Sequence, residues 1–205
     1  GAINEVDMSL NETQQLVSTN CDVAIPNIII NGNFVSATGW AATASTISAA
    51  DNTLIVTGSG AGPAPGAAQN LSGVAKDKKH YYRAKIMVTN SDCTKIRIYG
   101  NAGLMVIAQE NPVKDQWYTL SGIQPYAEYN NSEYALLHYY ATKEIANGKV
   151  MMAKEALGVN LTDTFGAGNE PTKDEMDTLV ALVPNNWWDG TLKPSQKLLL
   201  NWQLT

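Results

Sequence analysis

The 205-residue chain is short of charge, with Asp, Glu, Lys and Arg at 16%, against roughly a quarter in an average soluble protein. Net charge is −5 with only 14 Lys and Arg, which argues against a nucleic-acid binder whose affinity rests on cations meeting phosphates. Long apolar runs are also missing. The purest stretches, residues 28–30 and 198–200, fall far below the roughly 18 residues that span a bilayer, so no membrane insertion is expected. Two cysteines, Cys21 and Cys93, are too few for a four-thiolate metal site and match no redox spacing. A bridge between them and two unpaired thiols both stay open. The two histidines, His80 and His138, form no HExxH pair, and neither a P-loop nor a Gly-x-Ser-x-Gly elbow occurs. No secretory signal opens the chain.

The polarity present is uncharged: 19 Asn and 17 Thr, beside 16 Gly. Thr suits a pleated surface, and Asn and Gly suit tight turns. Apolar segments are short and recur at intervals: residues 28–30, 53–57, 82–88, 96–98, 104–107, 117–120, 134–140 and 150–153. Tyr82, Ala84, Ile86 and Val88 alternate with Tyr81, Arg83, Lys85 and Met87; Ile96 and Ile98 alternate with Lys95, Arg97 and Tyr99. Many period-two segments of this length predict an antiparallel sandwich. The Gly, Ala and Pro tract over residues 58–66 predicts a loop.

The two ends read differently. Ile3, Val6, Leu10, Thr13 and Val17 fall on heptad core positions, which leaves two readings for residues 1–24: a helical lead docked on its own domain, or a coiled-coil neck. Near the other end, Thr172 with Glu175 makes a capping box, and Met176, Leu179, Val180 and Val183 form an apolar helical stripe. A helix is predicted over about residues 172–183, ended by Pro184-Asn185. Trp187-Trp188-Asp189-Gly190 reads as a turn that pins the C-terminal segment to the sandwich, and residues 197–203 as a last strand.

Two stretches resemble known families. "NIIINGNFVSATGW" (residues 27–40), with the later "YYRAKIMVTN" and "QWYTLSG", resembles jelly-roll carbohydrate-binding modules. "VNLTDTFGAGNEPTKDEMDTL" (residues 159–179), followed by "WWDGT", is similar to a signature of tail and minor structural proteins of phages and prophages of Gram-positive bacteria. The resemblance implies an all-β jelly-roll β-sandwich over residues 25–161, between the helical lead and a C-terminal helix-containing appendix over residues 162–205. It implies a non-catalytic phage tail or tail-fibre domain that attaches to host cell-surface polysaccharide, with localisation in the virion or outside the cell. Partners would be other tail-fibre subunits in a homotrimer. Two rivals stay open: a carbohydrate-binding module of a secreted glycoside hydrolase, and a purely structural tail domain. The resemblance further implies a structural calcium between the first turn and the last strand. Asn31, Asn33 and Glu155 are its candidate ligands, although the family usually supplies an aspartate where this chain has Lys154-Glu155.

No catalytic residue is assigned. Glycoside hydrolysis needs two carboxylates flanking the bond, and the densest acidic cluster, Glu170, Asp174, Glu175 and Asp177, reads instead as helix capping. Aromatics are the richer class, with nine Tyr and five Trp against two Phe; Tyr and Trp present flat apolar faces with a polar tip. Candidate glycan-binding residues are Tyr126, Tyr129 and Tyr134 in a polar segment, together with Trp40, for which a core position is the competing reading. Trp117 carries the same core reading. Arg83, Arg97 and Tyr99, with Lys85 and Lys95, would make one basic-aromatic patch if their two strands pair through residues 90–93. A solvated sheet face competes with that patch. His80 is expected in solvent after a lysine-rich turn, and His138 in a structural role.

Overall fold

The computed structural model describes residues 24–71, 74, 77–100, 107–124 and 133–193. The chain folds as an all-β jelly-roll sandwich of two five-stranded antiparallel sheets. The front sheet runs β2 (Ala41–Thr43), β5 (Gly66–Asn70), β10 (Glu133–Tyr139), β7 (Lys95–Gly100), β8 (Ile107–Glu110). The back sheet runs β3 (Ser45–Ala50), β4 (Thr53–Gly58), β11 (Val150–Asn160), β6 (His80–Val88), β9 (Tyr118–Gln124). A two-residue β1 (Ile25–Pro26) pairs with β12 (Thr191–Leu192) and ties the two ends of the described chain together.

Period-two alternation builds the core between the sheets. From β6 the side chains of Tyr82, Ala84, Ile86 and Val88 are fully buried, and Ile96 and Ile98 meet them from β7. Leu54, Val56, Met151 and Ala153 fill the same interior from β4 and β11. Burying an aliphatic side chain of this size contributes about 1.5–3 kcal/mol. Strands β2, β3 and β5 carry almost no large apolar residue. Their backbones are fixed by ladder bonds to better-anchored neighbours, β5 to β10 and β3 to β4.

Residues 28–30 are not a strand, contrary to the sequence expectation. Ile28 N donates to Gly158 O at 2.8 Å, Ile29 N to Asn27 Oδ1 at 3.0 Å and Ile30 N to Gln69 Oε1 at 2.8 Å. The bonds go to three different places, so no ladder forms. The segment instead packs over Gly158, where a Cβ would press on Ile28 and Ile29. Of the tract over residues 58–66, residues 59–65 form the loop between β4 and β5, while Gly58 ends β4 and Gly66 begins β5.

Short α1 (Lys143–Ala146) precedes β11, and α2 (Leu161–Phe165) and α3 (Lys173–Leu182) follow it. Thr172 caps α3 by accepting from Glu175 N, while Glu175 accepts from Thr172 N at 2.7 Å, so the capping box forms. Met176, Leu179 and Val180 from α3 join Tyr81, Leu157, Val159, Val183 and Trp188 in a second apolar cluster outside the back sheet. Trp187 Nε1 donates to Ala156 O at 2.8 Å and Trp188 Nε1 to Ile25 O at 3.0 Å, which pins the C-terminal segment. Among the described residues no helix is long and apolar enough to cross a membrane. The heptad residues, Cys21 and residues 197–203 lie outside the described residues.

Candidate functional site

The turn after β6 carries the chain from the back sheet to the front sheet, so β6 and β7 do not pair. That separates the arginines onto opposite outer surfaces and overturns the single basic patch expected from sequence. Arg83 is buried beneath the appendix: its Nη1 donates to Asn186 O at 3.0 Å and lies 3.6 Å from Glu155. Lys85 Nζ meets the same carboxylate at 2.9 Å. Arg83 therefore fastens the C-terminal segment and is not available to a ligand.

Arg97 stays on the front sheet's outer side with Lys95 and Tyr99, all half-buried. Register places Tyr139 opposite Lys95, Leu137 opposite Arg97 and Ala135 opposite Tyr99. The Arg97 guanidinium lies 5.0 Å from the Tyr99 ring centre, and Lys95 Nζ 5.7 Å from that of Tyr139. Small residues continue the face on the next strand, with Gly66 opposite Leu137 and Ala68 opposite Ala135. A Cβ on Gly66 would collide with the Leu137 side chain. The result is two half-buried tyrosine rings, each with a cation near it, beside small residues that are themselves buried under their neighbours. Tyr139 and Leu137 were not singled out from sequence. Their signal was there: both fall out of phase with the inward Leu136 and His138.

The remaining candidates divide sharply. Tyr134 is fully buried, 5.9 Å from the Trp40 ring and 5.2 Å from that of Tyr82, so it cannot stack on a ligand. Its alternation with Leu136 and His138 turns it inward as the second residue of β10. Trp40 is likewise core, packed on Phe34 at 5.3 Å with Nε1 donating to Ile30 O at 3.1 Å. Trp117 reverses its expected core position: it is 37% exposed, with Lys154 Nζ 5.1 Å from its ring. Tyr126 and Tyr129 lie outside the described residues.

The proposed calcium ligands do not fit a cation. Glu155 already faces two positive groups, Lys85 and Arg83. Asn33 Oδ1 accepts from Val35 N at 3.3 Å, and Asn31 Nδ2 donates to Thr38 O at 2.7 Å. The Glu155 carboxylate, the one charged ligand in the set, is thus already offset by Lys85 and Arg83. Among the described residues no group of three His, Cys, Asp or Glu side chains gathers around a common point. Cys93 is a buried free thiol, whose Sγ contacts Lys95 O at 3.2 Å.

The acidic cluster is built into the appendix. Glu170 accepts from Gly168 N at 2.8 Å, from Thr162 Oγ1 at 3.0 Å and from Lys79 Nζ at 3.3 Å. Backbone donors, its own N–H foremost, hold its carboxyl below the ordinary value. Gly166 and Gly168 sit at φ 90° and 85°, left-handed conformations that a side chain would strain. The segment over residues 159–179 thus encodes a corner that turns α2 into α3 around one enclosed carboxylate. Asp177 accepts from Tyr81 Oη at 2.6 Å, Ser121 Oγ at 3.1 Å and Lys173 Nζ at 2.6 Å. Burial pushes its carboxyl up, but those three donors outweigh burial and hold it below its usual value.

Both histidines are interior. His80 is fully buried and stacked on Tyr82, with ring centres 6.0 Å apart, which corrects its expected place in solvent. It falls in phase with Tyr82, Ala84 and Ile86, so the inward alternation of β6 begins at His80. Burial lowers its pKa to about 4 and that of His138 to about 3. His138 Nδ1 lies 2.9 Å from Tyr140 Oη.

No protein-family model matches the chain, and no curated protein matches it. Solved structures do. An arabinose-bound α-L-arabinofuranosidase superposes with a TM-score of 0.51 at 11% identity, over 78% of this chain and 30% of that one. A CBM4 carbohydrate-binding module gives 0.42 at 11% identity, over 64% of this chain and 99% of that one. The enzymatically active domain of bacteriophage CBA120 tailspike protein 4 gives 0.44 at 12%, over 64% and 21%. The chain thus spans under a third of the arabinofuranosidase, and at these identities the likeness is one of fold.

Proposed function

We propose that this chain is a non-catalytic attachment domain that binds polysaccharide on the outer face of its front sheet. One observation carries the reading: Tyr99 and Tyr139, each with a cation near its ring, stand half-buried on one outer face with Arg97 and Leu137 between them. Tyrosine rings offer flat apolar faces to sugar C–H groups, and their hydroxyls offer hydrogen bonds at the rim. The half-buried setting limits the side-chain entropy lost on binding. Glu170, Glu175 and Asp177 are held by structural hydrogen bonds, which supports a non-catalytic role.

The finer reading is a phage tail or tail-fibre domain that contacts the surface of a Gram-positive host. It is supported by the signature over residues 159–179, which folds as the corner and helix that cover the back sheet. Location in the virion and assembly as a trimer through residues 3–17 belong to the same reading. The test is affinity electrophoresis through soluble polysaccharides, paired with co-sedimentation on purified Gram-positive cell walls. Retardation that Tyr99→Ala and Tyr139→Ala abolish is the expected result. Free migration in every polymer, with no sedimentation on cell walls, refutes glycan binding.

A further inference from the structure

We infer that the polymer held on the front face carries an oxyanion, a carboxylate or a phosphate, which Arg97 engages; this rests on the glycan-binding reading above. The chain has two arginines, and the structure treats them oppositely. Arg83 is buried against Glu155 and the Asn186 carbonyl. Arg97 has no acidic partner among the described residues, and its buried Nε meets no acceptor. Neighbouring charge is already compensated, since Lys95 Nζ lies 3.1 Å from Glu110. Among the described residues Arg97 is therefore a charge on a half-buried sheet face with no compensating partner.

Its geometry is also prepared for a ligand. Packing over the Tyr99 ring at 5.0 Å restrains the guanidinium, so less freedom is lost when it forms bonds. A guanidinium fork pairs two donors with a carboxylate or phosphate, and such bonds are about twice as strong as neutral ones. The net charge of −5 does not prevent this. Charges farther apart than about 8 Å are largely screened at physiological ionic strength, so the local contact decides.

The test uses the full chain in affinity electrophoresis against three polymers: polygalacturonate, glycerol-phosphate teichoic acid, and neutral hydroxyethyl cellulose. The wild-type chain is expected to be retarded by at least one anionic polymer, and which one distinguishes carboxylate from phosphate. Arg97→Gln should weaken that retention at least tenfold, Arg97→Lys should retain part of it, and added NaCl should weaken it. Binding of the neutral polymer should not depend on Arg97. Unfolding of Arg97→Gln is checked by its melting temperature; if it unfolds, the Arg97→Lys result and the salt dependence decide. Equal retention of wild type and Arg97→Gln on anionic polymers overturns the inference, as does binding confined to the neutral polymer, and both leave glycan binding standing. Retention on none of the three, with no sedimentation on cell walls, refutes the glycan reading itself and the inference with it.

Discussion

The two outer faces of this sandwich have opposite fates. On the back sheet, Tyr81, Leu157 and Val159 point outward and are sealed by Met176, Leu179, Val180 and Trp188. On the front sheet, Tyr99, Tyr139, Leu137 and Arg97 point outward and stay half-buried. Polar groups follow the same division. The back face spends Arg83, Asp177 and Glu155 on holding its cover, whereas the front face leaves Arg97 unpaired among the described residues. Aromatic content therefore does not mark a binding face on its own. What separates the faces is whether the chain's own apolar and polar groups already satisfy it.

Breaking the back face should have the largest effect. Leu179→Ala removes a fully buried side chain from the second cluster and should cost about 2–5 kcal/mol in urea unfolding. Glycan retention on the front face should persist below the unfolding transition. Equal loss of binding and stability would mean that the faces are not independent.

The interior that both faces share should respond to acid. The unfolded chain's histidines bind protons near pH 6.5, whereas His80 stays neutral in the fold down to about pH 4 and His138 to about pH 3. A lowered folded pKa means that stability is full above pH 6.5 and falls as pH drops toward 4. Each 1.36 kcal/mol corresponds to one pKa unit, so each histidine should cost about 3 kcal/mol by pH 4. Unfolding free energies at pH 7, 5.5 and 4 check this, and His138→Gln should flatten the slope. A stability independent of pH across that window would contradict the burial of both rings.

Tyr99→Ala should weaken polysaccharide binding by about 1–3 kcal/mol, the scale of one aromatic stacking platform. Thermal melting should show little change, as for substitutions away from a packed core. Smaller still, Thr172→Ala should lower stability by about 1 kcal/mol through the lost cap, without effect on binding.

Much of this architecture was legible in the amino-acid pattern, and the gaps have physical causes. The alternations in β6 and β7 were readable because large apolar residues face one way and charged ones the other. Strands β2, β3 and β5 were not, since "AAT", "STISAA" and "GAAQN" carry little hydrophobic contrast; their pairing is imposed by neighbouring strands. Alternation fixes the phase of Arg83 and Arg97 along their own strands. It says nothing about which sheet each strand joins, and the crossing after β6 is what parted them. Tyr134 reads as a loop residue because it follows an Asn-rich polar stretch, although its phase with Leu136 points inward. The FGAGNEPT motif was recognisable from sequence, but its role needed coordinates: Glu170 binds donors from Thr162, Gly168 and Lys79 at once.

The proposal that the front face, and not the back, holds the polymer has one decisive check. It is tested most directly by comparing co-sedimentation on Gram-positive cell walls for wild type, Tyr99→Ala/Tyr139→Ala and Trp117→Ala, with melting temperatures measured on the same samples. Trp117 is the control because it is an exposed aromatic on the opposite side, beside Lys154. The double front-face variant should stay in the supernatant while Trp117→Ala sediments like wild type, all three melting within a few degrees of one another. Sedimentation of the folded double variant together with loss for Trp117→Ala would contradict it and move the binding site to the back sheet.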